Sequence, residues 1–75
     1  MDLLVERHGT LRLAIEIKCK QRVAGADTSG LRSFHEAHPK VPTCIVSLAP
    51  EPYELGGGVR VLPYAQFLTE FERLL

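Results

Sequence analysis

The residues best suited to chemistry in this chain are an acidic side chain at Asp2 and the triplet Glu16-Ile17-Lys18. Two carboxylates and an ammonium converging on one spot are the minimum set for holding a divalent ion and activating a water against a phosphodiester. Their convergence depends on the elements that carry them.

Two strands are expected, over residues 2–7 and 10–18. In the second, Leu11, Leu13, Ile15 and Ile17 alternate with Thr10, Arg12, Ala14, Glu16 and Lys18, a period of two over nine residues. Placing Leu3 and Val5 on the face of Leu13 and Leu11 predicts a hairpin register. In it Val5 lies opposite Leu11, Leu3 opposite Leu13, Asp2 opposite Ala14 and Glu6 opposite Thr10. Arg7, His8 and Gly9 then form a three-residue loop with Gly9 at its left-handed position. Asp2 and Glu16 become diagonal neighbours, about 7–8 Å apart on one face, with Lys18 one pleat further along and Arg12 on the same side. A two-residue His8-Gly9 turn would slip the pairing by one and separate the two acids.

The remaining elements frame this hairpin. Residues 21–30 form a polar connection in which Asp27, Thr28 or Ser29 can cap a helix running to about His38. Leu31, Phe34 and Ala37 or His38 would face the sheet, and Pro39 stops the helix. Residues 43–48 make a buried strand, parallel to the Glu16 strand by the strand–helix–strand order. Residues 50–58 read as a turn-rich loop ending in three glycines, and 59–62 as a short strand. From Pro63 a closing helix carries Tyr64, Phe67, Leu68, Phe71 and Leu74 at helical spacing. The fold class is α/β, with a mixed sheet of about four strands: a hairpin, a β-α-β unit, a short strand and a C-terminal helix.

Seventy-five residues are one small domain. Charged residues at 24% argue against disorder, but the nine basic and nine acidic residues cancel. A dedicated nucleic-acid binder carries a basic excess, so DNA binding here is expected to be local, metal-assisted or shared with another chain. No run of residues approaches the ~20 apolar positions a membrane span needs, and no signal-peptide pattern opens the chain. Cys19 and Cys44 lack metal-type spacing and read as reduced thiols of a cytoplasmic protein.

An Asp and a Glu-x-Lys on a hairpin, followed by a helix and a buried strand, resemble the restriction-endonuclease-like PD-(D/E)XK nuclease superfamily. The likeness covers almost the whole chain, through Met-Asp-Leu-Leu-Val-Glu-Arg, Leu-Ala-Ile-Glu-Ile-Lys, Gly30-Leu31-Arg32-Ser33-Phe34 and Val59-Arg60-Val61-Leu62-Pro63 before Phe67-Leu68. In these stretches the chain looks like the nuclease-like C-terminal domain of prokaryotic AAA-type ATPases of unknown function. The resemblance implies a shortened restriction-endonuclease-like core and Mg²⁺- or Mn²⁺-dependent cleavage of DNA. Asp2 and Glu16, joined by the backbone carbonyl of Ile17, would bind the ion. Lys18 would orient the attacking water and stabilise the transition state.

The superfamily core normally has a helix and a first strand before the Asp strand. Residues 1–75 are expected to be a single nuclease-like domain lacking both. The first strand would then be an open edge rich in Leu and Val, which invites pairing with a second copy of the chain. A homodimer through that edge is expected. The alternative to catalysis is a non-catalytic module for dimerisation or docking onto a larger protein. No Gly-rich phosphate loop of the ATPase type occurs, since Gly56-Gly57-Gly58 runs into Val-Arg. His35 and His38 read as ordinary helix histidines and His8 as a turn residue. Tyr53 and Tyr64 read as packing residues. Lys20, Gln21 and Arg22 follow the triplet closely enough to touch a phosphate backbone.

Overall fold

The computed structural model describes residues 2–74. Alternating apolar residues form β1 (Leu3–Arg7) and β2 (Thr10–Lys18); a 3₁₀ turn (Gly25–Thr28) leads into α1 (Ser29–Ala37), and β3 (Thr43–Ser47) follows. The chain closes with β4 (Tyr53–Leu55), β5 (Val59–Pro63) and α2 (Tyr64–Leu74). The protein is a mixed α/β fold. Its sheet has five strands in the order β1-β2-β3-β5-β4, with β2, β3 and β5 mutually parallel and an antiparallel strand at each edge.

The expected parallel pairing of the Glu16 strand with the strand after α1 is present: Glu16 pairs with Ile45 and Lys18 with Ser47. The sheet has one strand more than expected. Residues 53–55, assigned to a loop from the sequence, pair with β5 as a short hairpin arm across Gly56-Gly57-Gly58. Three residues are too few for a period of two to stand out among the surrounding prolines and glycines. Gly57 and Gly58 hold φ of +82° and +78°, the left-handed region that closes this turn at no steric cost.

The hairpin register also differs from the expected one. His8 and Gly9 both have positive φ, 54° and 76°, so the turn has two residues, of the kind whose twist matches its flanking strands. Arg7 therefore pairs with Thr10 and Glu6 with Leu11. A bulge then leaves Arg12 without a partner, and the pairing resumes as Val5–Leu13, Leu4–Ala14 and Leu3–Ile15. The bulge adds a second one-residue shift to that of the tight turn. Leu3, Val5 and Leu13 thus share a face as expected, although Leu4, not Asp2, stands opposite Ala14.

Neighbouring residues of the central strands feed opposite faces. On one, Leu31 of α1 packs with Val23, Ile45, Ala49, Val59 and Val61; on the other, Phe67 and Phe71 of α2 pack on Leu13, Ile15, Cys44 and Leu62. The sheet is the middle of three layers, with a helix on each side. Coverage by α2 is partial. Leu68 is 70% exposed and Tyr64 58%, so the apolar stripe predicted for this helix splits into a packed half and an open half.

Candidate functional site

Glu16 and Lys18 lie at the carboxyl end of β2. Their register with Ile45 and Ser47 puts them on the α1 face of the sheet, because directly paired residues of parallel strands share a face. Lys18 Nζ stands 3.6 Å from Glu16 Oε1, and the Glu16 side chain is only 15% exposed. This end of a parallel sheet is where open α/β folds form their crevices.

Asp2 precedes β1 and is not part of its ladder. Its backbone N–H donates to the Ile15 carbonyl at 3.1 Å, and its carboxylate Oδ2 accepts the Ile17 backbone N–H at 2.7 Å. The side chain thus supplies the acceptor that a further residue of β1 would otherwise provide. In a strand, the N–H and C=O of one residue point to the same side. The Ile17 carbonyl therefore opens toward Asp2, and Asp2, Ile17, Glu16 and Lys18 occupy one corner of the sheet.

A fifth residue joins this corner. Asp27 sits in the 3₁₀ turn, where its Oδ2 accepts the Ala24 N–H at 3.0 Å. Lys20 Nζ binds both of its oxygens, at 2.9 and 3.0 Å. The Ala24 hydrogen bond, then Lys20 and at longer range Lys18, hold the Asp27 carboxyl below its ordinary range. From the sequence Asp27 is only a candidate helix cap. Its place beside Lys18 and Lys20 comes from the fold of residues 20–27, which no local pattern announces.

Oxygen donors fit a hard divalent ion. Asp2 Oδ1, the Glu16 carboxylate and the Ile17 carbonyl are the set this corner offers. Among the described residues no group of three or more His, Cys, Asp or Glu side chains gathers to hold a metal ion, so such a site would rest on two carboxylates and the backbone. His35 and His38 are packing residues. The imidazole of His38 stacks on Phe34 with centroids 4.7 Å apart, whereas His35 lies against Gly58. Arg12, expected beside the acids, is the exposed bulge residue. Among the described residues, no helix is long and apolar enough to cross a membrane.

A second surface lies on the opposite face. Leu3, Val5 and Ile15 of the hairpin form an apolar groove with Phe67, Leu68 and Phe71 of α2, about 350 Å³ in volume. It continues past Ile17, Val46 and Tyr64. Leu3 and Ile17 are each about half exposed. No family model, no curated protein and no solved structure matches this chain.

Proposed function

We propose that this domain is a divalent-metal-dependent phosphodiesterase of the PD-(D/E)XK type acting on DNA. The observation that carries the reading is the tie between Asp2 and Ile17, which brings the first carboxylate to the middle of the Glu-x-Lys triplet. Asp2, Glu16 and the Ile17 carbonyl would hold Mg²⁺ or Mn²⁺. The ion, when bound, polarises a phosphoryl oxygen and lowers the pKa of a coordinated water. Lys18 supplies a positive charge beside the scissile phosphate as negative charge accumulates there. Glu16, 3.6 Å from the Lys18 ammonium, restrains where that ammonium points.

The test is an amide-shift titration with Mg²⁺, and with Mn²⁺ for paramagnetic broadening. Effects centred on Asp2, Glu16 and Ile17 are expected. Signals unmoved at tens of millimolar Mg²⁺ would remove the metal site and the catalysis with it. Cleavage of DNA should then vanish in Lys18→Ala, and activity that survives the change belongs to a contaminant.

The open groove favours a second reading, self-association. Among the described residues β1 is a sheet edge with no strand on its outer side, and the apolar surface of Leu3, Tyr64 and Leu68 lies beside it. Two-fold pairing of β1 with its copy would cover both features at once. Sedimentation velocity at micromolar concentration should show a dimer, and Leu68→Lys a monomer. A wild-type chain that sediments as a monomer discards this reading.

A further inference from the structure

Beyond the carboxyl ends of β2 and β3 the chain builds an open pocket of about 450 Å³, lined by Gln21, Arg22, Val23, Pro50, Glu51 and Tyr53. Its two walls are stitched together. Leu48 N–H donates to the Lys20 carbonyl at 3.1 Å. The Tyr53 hydroxyl accepts the Val23 N–H at 2.8 Å and donates to the Val23 carbonyl at 3.0 Å. Three hydrogen bonds between the two segments that form it fix the shape before any ligand arrives, which lowers the ordering cost of binding. The volume lies in the range of small-ligand sites, about 300–1,000 Å³.

The lining selects the ligand. Arg22 has no hydrogen bond or ion pair to any other described residue, so its planar fork is available for a phosphate. Glu51 also lines the pocket and makes no ion pair with Arg22. A carboxylate repels a second anionic group but accepts N–H donors. Pro50, Val23 and the Tyr53 ring contribute apolar wall. A ligand that satisfies all of this has a phosphate at one end, an apolar planar body and an edge with N–H donors. From these complementarities we infer that the pocket is a nucleotide subsite, taking the phosphate on Arg22 and the base against Pro50 and Tyr53. Guanine is the base favoured, because its adjacent N1–H and N2–H donors match the two oxygens of Glu51. This rests on the phosphodiesterase reading for its purpose and extends it. Residues 21–23 of its wall follow Lys18 and Lys20 in the chain, so it would seat a nucleotide flanking the scissile bond.

The experiment is an amide-shift titration of the full chain with dGMP, dAMP and inorganic phosphate, without divalent ions. Shifts are expected at residues 21–23 and 51–53, larger with dGMP than with dAMP and small with phosphate. Arg22→Ala should weaken dGMP binding about tenfold or more, Arg22→Lys should fall between, and Glu51→Gln should abolish the preference for dGMP. Silence at these amides with millimolar dGMP overturns the proposal, as does equal binding by Arg22→Ala or full reproduction of the shifts by phosphate. The metal titration reads Asp2, Glu16 and Ile17 instead. Failure of this subsite therefore leaves the ion site standing, and failure of the ion site leaves nucleotide binding measurable.

Discussion

The carboxylate of Asp2 accepts the backbone N–H of Ile17 at 2.7 Å, binding the residue before β1 to the centre of the Glu-x-Lys triplet. One oxygen of the group is thereby spent on holding the sheet corner. Under the proposed metal-dependent reading the same side chain would also bind the ion, and substitution can separate the two roles.

Asp2→Asn keeps an oxygen that can accept the Ile17 N–H but removes the charge. It should retain stability within about 0.5 kcal/mol while abolishing Mn²⁺-induced broadening at Ile17. Asp2→Ala loses both roles and should cost about 1 kcal/mol in urea denaturation. Equal broadening in the wild type and in Asp2→Asn would show that Asp2 has no part in ion binding.

Asp27 makes stability depend on acid pH. Its folded pKa lies below the ordinary 3.8, held there by the Ala24 N–H and by Lys20. A lowered carboxyl pKa means that the unfolded chain takes up the proton first as pH falls. The stabilising contribution is complete above about 3.8 and is lost as pH drops through the lower folded value. Asp27→Asn should flatten this part of the profile, read as the urea midpoint between pH 5 and about 2.

The two thiols should differ in reactivity. Cys44 is buried between β2 and β5, and loss of solvation pushes its pKa up to about 11 against a slight opposing pull from Arg60. Cys19 is exposed. At pH 8 a chromogenic disulfide reagent should modify one thiol quickly in the native protein and two in denaturant. The sign for stability follows from the raised pKa: stability holds below the ordinary 9.0 and declines as pH rises toward 11.

Gly58 is held both by its backbone and by a neighbour. Its φ is +78°, and a Cβ would stand 2.8 Å from His35 Nε2. Gly9 has a similar φ, +76°, with nothing within 4 Å of a Cβ. Gly9→Ala should therefore cost about 1–2 kcal/mol from conformation alone. Gly58→Ala should cost more, and the double substitution Gly58→Ala with His35→Ala should recover the excess. Melting temperatures of these three variants check the comparison.

Period and punctuation were sufficient for much of the fold. The alternation from Leu11 to Lys18, the helix stop at Pro39, the buried run from Thr43 and the parallel β2–β3 pairing are consequences of local apolar spacing and chain order. They placed Glu16 and Lys18 on one strand face. Three residues of β4 among prolines and glycines carried no such period. The hairpin register was also beyond local reading, because alternation fixes the parity of a pairing but not its value. A shift of two leaves every apolar residue on the same face, so only the tight His8-Gly9 turn and the Arg12 bulge together decide the partner of each residue. What tertiary structure alone settled lies in side-chain contacts outside any regular element: Asp2 on Ile17, Asp27 on Lys20, and Tyr53 clasping Val23 thirty positions away. The first and last join groups 15 and 30 positions apart, the second closes an irregular loop of seven, and hydrogen bonds of these kinds leave no periodic trace in sequence.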